Sequence, residues 1–223
     1  MHYLLWVTLV GLLAESCSGD RPHHHPHPHP HPPHPCKSPP ELEGGLTVAS
    51  ATGEFFLIGK YFYDAVGQRI RFGDFVQQKN QTFRDDILLL YKEGVMYRIN
   101  KEKQTCTKKQ LSDTFHLMEI PANATTLGQI TLGSFSGPSQ GLLVNPWTGE
   151  IPAADAKYLM SFTAHGCLPI TCSYHTTQTG WIAISYFNII VGIKDPSPLT
   201  PPPFCKDATT EIGQTGNFFN AFL

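Results

Sequence analysis

The chain has 223 residues, with 16 basic and 18 acidic side chains and a formal net charge of −2. Apolar residues make up 41% and charged residues 15%, the latter well below the roughly 25% of an average soluble domain. This balance excludes a strongly basic nucleic-acid binder and an acidic disordered tail. Nineteen Gly and 19 Pro point to a loop-rich β protein, and six cysteines fit a secreted domain better than the cytosol.

The first element is an apolar run, YLLWVTLVGLL, over residues 3–13. It is too short to span a bilayer and suits the core of a signal peptide. Small residues follow, and cleavage after Gly19 is the expected processing. Loss of residues 1–19 takes away His2, Glu15 and Cys17, leaving a net charge of −1 and five cysteines. An odd count leaves one thiol free or paired between chains. No later stretch has the length and apolarity of a spanning helix, so the mature chain is expected to be soluble, luminal or secreted.

Residues 20–35 form a His/Pro-rich arm containing PHHHPHPHPHPPHP. Proline fixes φ and removes donors, so the arm is expected to be extended, without a core. His23, His24, His25, His27, His29, His31 and His34 are candidate ligands for a transition metal. No geometry is preformed, and a flexible spacer with incidental metal affinity is the plainer reading. Protonation of all ten mature histidines would move the net charge from −1 to +9, an aid to docking on anionic membranes in acidic compartments.

The body begins near residue 43. Strand-like runs rich in Ile, Val, Phe and Tyr fall at 54–65, 68–76, 85–94, 95–100, 115–120, 129–135, 158–166 and 181–193. Val66-Gly67, Glu93-Gly94 and Thr179-Gly180 sit where hairpin turns are expected. The run at 181–193 is apolar on both parities, which predicts a strand covered on two faces, or one with a face on a core and a face on a cavity. A short helix is expected near Ala153–Lys157. The piece PSPLTPPPFC after Asp195, with five prolines, cannot be an inner strand and reads as an extended strap ending at Cys205. Residues 206–223 read as a weakly ordered tail. Asn80 and Asn123 head glycosylation sequons.

The sequence offers no catalytic constellation. Gly133-Ser134-Phe135-Ser136-Gly137 has Phe where a nucleophile elbow needs serine. Cys172 with His165 and His175 would be a thiol nucleophile, yet all three fall in one expected hairpin of a disulfide-rich chain, which favours structural roles. There is no HExxH, phosphate loop or CxxC, and no organic cofactor is expected.

Four blocks together resemble the ependymins and ependymin-related proteins: YDAVGQRIR (63–71), ILLLYKEGVMYRINKEKQTC (87–106), HGCLPI (165–170) and NIIVGIKDPSPLTPPPFC (188–205). The resemblance runs from about Cys36 to Cys205. It implies an all-β fold with minor α content, in which two curved antiparallel sheets form a sandwich or half-barrel around an apolar pocket, similar to bacterial lipoprotein carriers. It implies a homodimeric glycoprotein, secreted or delivered to the lysosomal lumen, that binds a lipid or other hydrophobic molecule, binds calcium and takes part in cell–matrix adhesion. No enzyme activity and no nucleic-acid partner are implied. The alternative is a calcium-dependent matrix adhesion factor whose pocket is incidental.

The resemblance also pairs cysteines, Cys36 with Cys167 and Cys106 with Cys205. Cys172 is left over, as a free thiol or an intermolecular bridge. Of the body's large apolar residues, which include Trp147, the expected pocket lining is Phe56, Phe62, Leu88, Leu90, Tyr97, Phe162, Trp181 and Tyr186. Calcium candidates are Asp85, Asp86 and Asp195, with glycans at Asn80 or Asn123 as another source of oxygen ligands.

Overall fold

A computed structural model describes residues 33–78, 81–152, 155–177 and 179–216. They belong to a unit beginning at Pro33. The unit is built from strands, as the composition predicts. In chain order they are β1 (Glu41–Ser50), β2 (Phe55–Asp64), β3 (Arg69–Gln78), β4 (Gln81–Leu90), β5 (Val95–Asn100), β6 (Thr105–Leu111), β7 (Thr125–Thr126) and β8 (Ile130–Gly133). They continue with β9 (Gly141–Ile151), β10 (Ala156–Thr163), β11 (Pro169–Thr176), β12 (Gly180–Val191) and β13 (Thr209–Gly216).

Hydrogen bonding joins all of them in one sheet, ordered β13-β6-β5-β4-β3-β2-β1-β12-β11-β10-β9-β7, with β8 also on β9. The two sheets implied by the family resemblance are thus a single continuous ladder. β1 and β12 link its two wings (Val48 opposite Ile184, Leu46 opposite Tyr186), and the pairing shifts register between Glu43 and Gly45. Pairing is antiparallel except for β13, which runs parallel to β6.

All three expected hairpin turns are present, at 65–68, at 91–94 and at Thr177 and Thr179. Gly94 and Gly180 have φ of +63° and +64°, a conformation that favours glycine at these corners. In the first turn the positive φ falls on Gln68. Asp64 organises that corner. Its carboxylate accepts the Gly67 N–H at 2.7 Å and the Arg69 Nε–H and Nη2–H at 2.9 and 2.6 Å. Burial raises the Asp64 pKa, but the Gly67 N–H and the Arg69 guanidinium outweigh it and hold the carboxyl below its ordinary range.

Side chains alternate across the sheet. One face carries Leu42, Leu46, Val48, Leu57, Tyr61, Phe72, Ile87, Leu89, Ile182 and Ile184, all buried. It continues through Cys172, Met160, Tyr158, Phe162 and Trp147. Met118, Tyr174 and Tyr186 touch both groups and join them into one interior. Among the described residues the opposite face is covered beside β3–β6, where Arg71 is buried against Pro198 and where Leu88, Leu90, Ile99 and Cys106 meet Leu199 and Cys205. Elsewhere on that face Phe56, Ile58, Phe75, Trp181 and Phe187 are exposed. The expectation that 181–193 is covered on both faces is therefore corrected: Ile182 and Ile184 are buried, while Trp181 and Phe187 look outward.

Other expectations change too. Residues 115–120 form no strand. The Met118 N–H donates to the Tyr63 hydroxyl, and the Ile120 N–H to the Cys36 carbonyl. The second bond belongs to a single antiparallel bridge between Lys37 and Glu119, so the segment lies along the margin of the interior as irregular backbone, with Ile120 buried and Leu117 exposed. Of the short helix expected near Ala153–Lys157, residues 153 and 154 lie outside the described residues; Pro152 before them is in a 3-10 turn, while Ala156 and Lys157 pair with β9 and β11 as strand. Residues 209–216 of the expected loose tail form β13.

Candidate functional site

The interior is rich in hydroxyls. Tyr61 on β2, Trp147 on β9 and Tyr158 on β10 are buried, yet Tyr61 OH, Trp147 Nε1 and Tyr158 OH have no hydrogen-bond partner among the described residues. Glu119 Oε2 is also sequestered, but it is ion-paired with Lys37 Nζ at 2.8 Å. An unsatisfied buried polar atom costs about 1–3 kcal/mol, so most native interiors avoid one. The Tyr158 hydroxyl reaches over Gly149, where a Cβ would lie 2.3 Å from it. Tyr61 meets Tyr186 edge-to-face, with ring centroids 5.2 Å apart.

Burial pushes the Tyr174 and Tyr186 hydroxyls well above their ordinary pKa. Both residues nevertheless keep accessible surface.

Cys172 lies in the same interior, a free thiol with 3% of its surface exposed. Burial pushes its pKa up to about 12, although the Tyr174 hydroxyl hydrogen-bonds to the sulfur and lowers it. A thiolate is the reactive form, so Cys172 is expected to resist a maleimide or iodoacetamide in native protein and to label fully in denaturant. Rapid native labelling, followed by mass spectrometry, would refute this placement. His175 stands one strand position out of phase with Cys172 and packs against Trp181 on the outer face, ring centroids 5.2 Å apart. The two residues therefore point to opposite sides of the sheet and form no nucleophile–base pair.

On the outer face, the strap after β12 contains two single 3-10 turns, Ser197–Leu199 and Pro203–Cys205. It is fixed in three ways. Leu199 is buried among Leu88, Leu90 and Ile99. Cys205 is bonded to Cys106. Arg71 donates through Nη1 to the Pro198 carbonyl, while its Nε and Nη2 each lie 2.7 Å from the Asp86 carboxylate. Lys101 Nζ is also 2.7 Å from Asp86 Oδ2. Beside this anchor lies a cleft of about 850 Å³, lined by Lys60, Arg71, Arg84, Lys101, Glu102 and the strap prolines.

The structure distributes the expected site residues as follows. Cys36–Cys167 and Cys106–Cys205 are disulfides. The eight expected pocket residues do not share one space. Phe162 and Tyr186 face the tyrosine-rich interior. Phe62, Leu88, Leu90 and Tyr97 lie on the other face beneath the strap. Phe56 and Trp181 are exposed on that outer face.

Asp86 is engaged by Arg71 and Lys101. Asp195 is exposed and accepts from the Ser197 N–H at 2.9 Å and the Ser197 hydroxyl at 2.8 Å. The Ser197 N–H, with its hydroxyl, lowers the Asp195 pKa. Asp85 lies in β4, its side chain outside the described residues. Among the described residues no three His, Cys, Asp or Glu side chains gather as a metal site. Asn123 is exposed in a turn, whereas Asn80 lies outside the described residues. So do the candidate histidines of the arm except His34, which is exposed.

Sequence reasoning missed Tyr61, Tyr158 and Tyr174. Their signal was available in the even spacing of Tyr61 with Tyr63, and of Tyr174 with Cys172, along single strand faces.

These features define a disulfide-stapled, single-sheet β protein with a hydroxyl-bearing aromatic interior. The ependymin family model matches residues 79–205, and the chain belongs to that family. Ependymin-2 of Carassius auratus is 34% identical over 189 residues, 84% of this chain and 87% of that protein. Ependymin-1 of Oncorhynchus mykiss is 34% identical over 195 residues, covering 85% and 87%. Mammalian ependymin-related protein 1 of Mus musculus is 30% identical over 181 residues, covering 80% of each. Among solved structures, an uncharacterized conserved protein from Thermus thermophilus aligns at a TM-score of 0.46 and 7% identity, over 77% of this chain and 89% of its own.

Proposed function

We propose that this chain is a secreted glycoprotein that binds a hydrophobic ligand, a lipid bearing a polar group, against its tyrosine-rich interior, without making or breaking a bond. The observation that carries the reading is the set of unsatisfied buried atoms, Tyr61 OH, Trp147 Nε1 and Tyr158 OH. Polar atoms of a ligand placed at either end of this interior would relieve that desolvation, and the surrounding rings would take its chain at about 0.8 kcal/mol per CH₂ buried. The apolar run before Gly19 supports export. The exposed Asn123 suits a glycan. Calcium, in this reading, is taken by glycan oxygens or at Asp195, since a cation at Asp86 would have to displace two positive side chains.

The test compares Tyr61→Phe and Tyr158→Phe with the parent protein. Each variant removes one unpaired hydroxyl and keeps the ring. The ligand-free variants are expected to be as stable as the parent or more so, and to bind a fluorescent fatty acid about tenfold more weakly, a loss of about 1.4 kcal/mol. Lipid extraction of protein from its own tissue should recover bound lipid. No recovered lipid, together with unchanged probe binding, would overturn the reading.

A further inference from the structure

The cleft under the strap lies on the sheet face opposite the interior, and nothing in the lipid reading uses it. Its floor is set by strand register. Lys60, Gly73, Asp86 and Ile99 lie side by side across β2, β3, β4 and β5. Gly73 has no side chain, so bare backbone separates the Lys60 ammonium from the Asp86 carboxylate. The strap, with Pro201, Pro202 and Pro203, walls the other side. Prolines have no N–H to donate and little freedom to lose, so this wall is apolar and preformed.

The charges around this floor are unequal. Four cations, Lys60, Arg71, Arg84 and Lys101, face two carboxylates, Asp86 and Glu102, in a chain whose overall charge is −2. Arg71 is spent on Asp86 and the strap, and Lys101, largely exposed, contacts the same carboxylate at 2.7 Å. Arg84 and Glu102 are 3.5 Å apart and both largely exposed, a pairing worth little in water. Lys60 is exposed and has no partner among the described residues. Lys60, Arg84 and Lys101 thus converge on one hollow of about 850 Å³, large enough for a charged group and the small organic body that bears it.

We propose that this cleft is an anion site for a phosphate or sulfate ester, with Lys60 and Arg84 as its principal binding residues and the proline wall taking the ester's organic part. Arg suits such oxyanions because its fork donates to two oxygens at once. Inorganic phosphate would bind more weakly than an ester, since it cannot use the wall.

Calorimetry on the full mature chain tests this with glucose 6-phosphate, glucose 6-sulfate, glucose and inorganic phosphate. A flotation assay uses phosphatidylcholine vesicles with and without phosphatidic acid. The sugar esters are expected to bind and glucose not to, with affinity falling as salt is raised. Lys60→Glu and Arg84→Glu should each weaken ester binding at least tenfold, while Lys157→Glu, on β10 far along the sheet, should not. These are exposed positions, and unchanged circular dichroism and melting would show that the fold persists. Binding to phosphatidic acid vesicles alone, lost in the same variants, would assign the ester to a lipid headgroup. The proposal is overturned if neither sugar esters nor phosphatidic acid vesicles bind, or if Lys60→Glu and Arg84→Glu leave binding unchanged. Tyr61→Phe and Tyr158→Phe should leave this binding intact, which separates failure here from failure of the lipid reading.

Discussion

Asp86→Ala is expected to destabilise the protein by about 3–5 kcal/mol, the cost of leaving a buried charge without its counterion. Arg71 and Asp86 are both buried on the outer face of β3 and β4. Their two parallel contacts at 2.7 Å fix the guanidinium plane, and the remaining Nη1 then holds the Pro198 carbonyl. Removal of the carboxylate leaves Arg71 charged, dry and misaligned, and the strap loses one of its anchors. Lys101 loses its partner as well, but it is largely exposed, so that loss adds little. The double variant Arg71→Met/Asp86→Leu removes both charges and should recover most of the lost stability, because apolar replacements of a buried pair are often neutral. Chemical denaturation of the three proteins measures this. Equal loss in the single and double variants would mean that packing, not charge, fixes the strap.

Replacing Cys36 and Cys167 together by Ala is expected to cost about 5 kcal/mol. The bond closes a loop with a sequence separation of 131, and in the chain-entropy model a loop of that size constrains the unfolded state by about that amount. The native state also loses a local clamp. The Ser38 hydroxyl donates to the Cys167 carbonyl at 2.8 Å, and the Cys36 carbonyl accepts the Ile120 N–H at 2.9 Å. The bridge therefore ties three pieces at one point: the entering chain, the segment at 115–120, and the β10–β11 turn. Typical domains have only about 5–15 kcal/mol in total, so the variant is expected to melt far below the parent or to remain unfolded at 37 °C. A fall in melting temperature of only a few degrees would show that the segment at 115–120 is held by its apolar contacts alone.

The strands legible in the sequence were those whose ladders run through large β-formers and end at Gly-marked corners, such as β2, β4, β5 and β12. Those that were not legible carry weak local signals. β1 has Gly44 and Gly45 at its centre, where it shifts register against β12. β6 is mostly polar, because it lies near one margin of the sheet and buries only Cys106 and Leu111. β9 contains Pro146 beside the buried Trp147. The segment at 115–120 failed in the opposite sense. Phe115, Met118 and Ile120 are real core contacts, with Phe115 against Tyr63 and Tyr91, while Leu117 is exposed, and periodicity cannot tell a strand from irregular chain along a core.

The candidate sites divide in the same way. Disulfide partners were carried by family resemblance, since spacing alone cannot assign them. The pocket list failed to converge because Leu88 and Leu90 alternate with Ile87 and Leu89. An apolar run buried on both faces hides which parity serves which side. The cleft cations were invisible because Lys60, Arg84 and Lys101 come from separate hairpins and meet only through register.

The two rims of the sheet limit the template that an open β structure of this width offers to another chain. One rim carries β7 and β8, only two and four residues long, which offer little template for a foreign chain. At the other rim, β13 lies in parallel along β6, with a register break between Thr210 and Thr215. A proteolytic clip just before Thr209 would strip that guard and bare a polar, lysine-bearing border, so solubility on prolonged storage should track the integrity of the carboxyl end rather than the core.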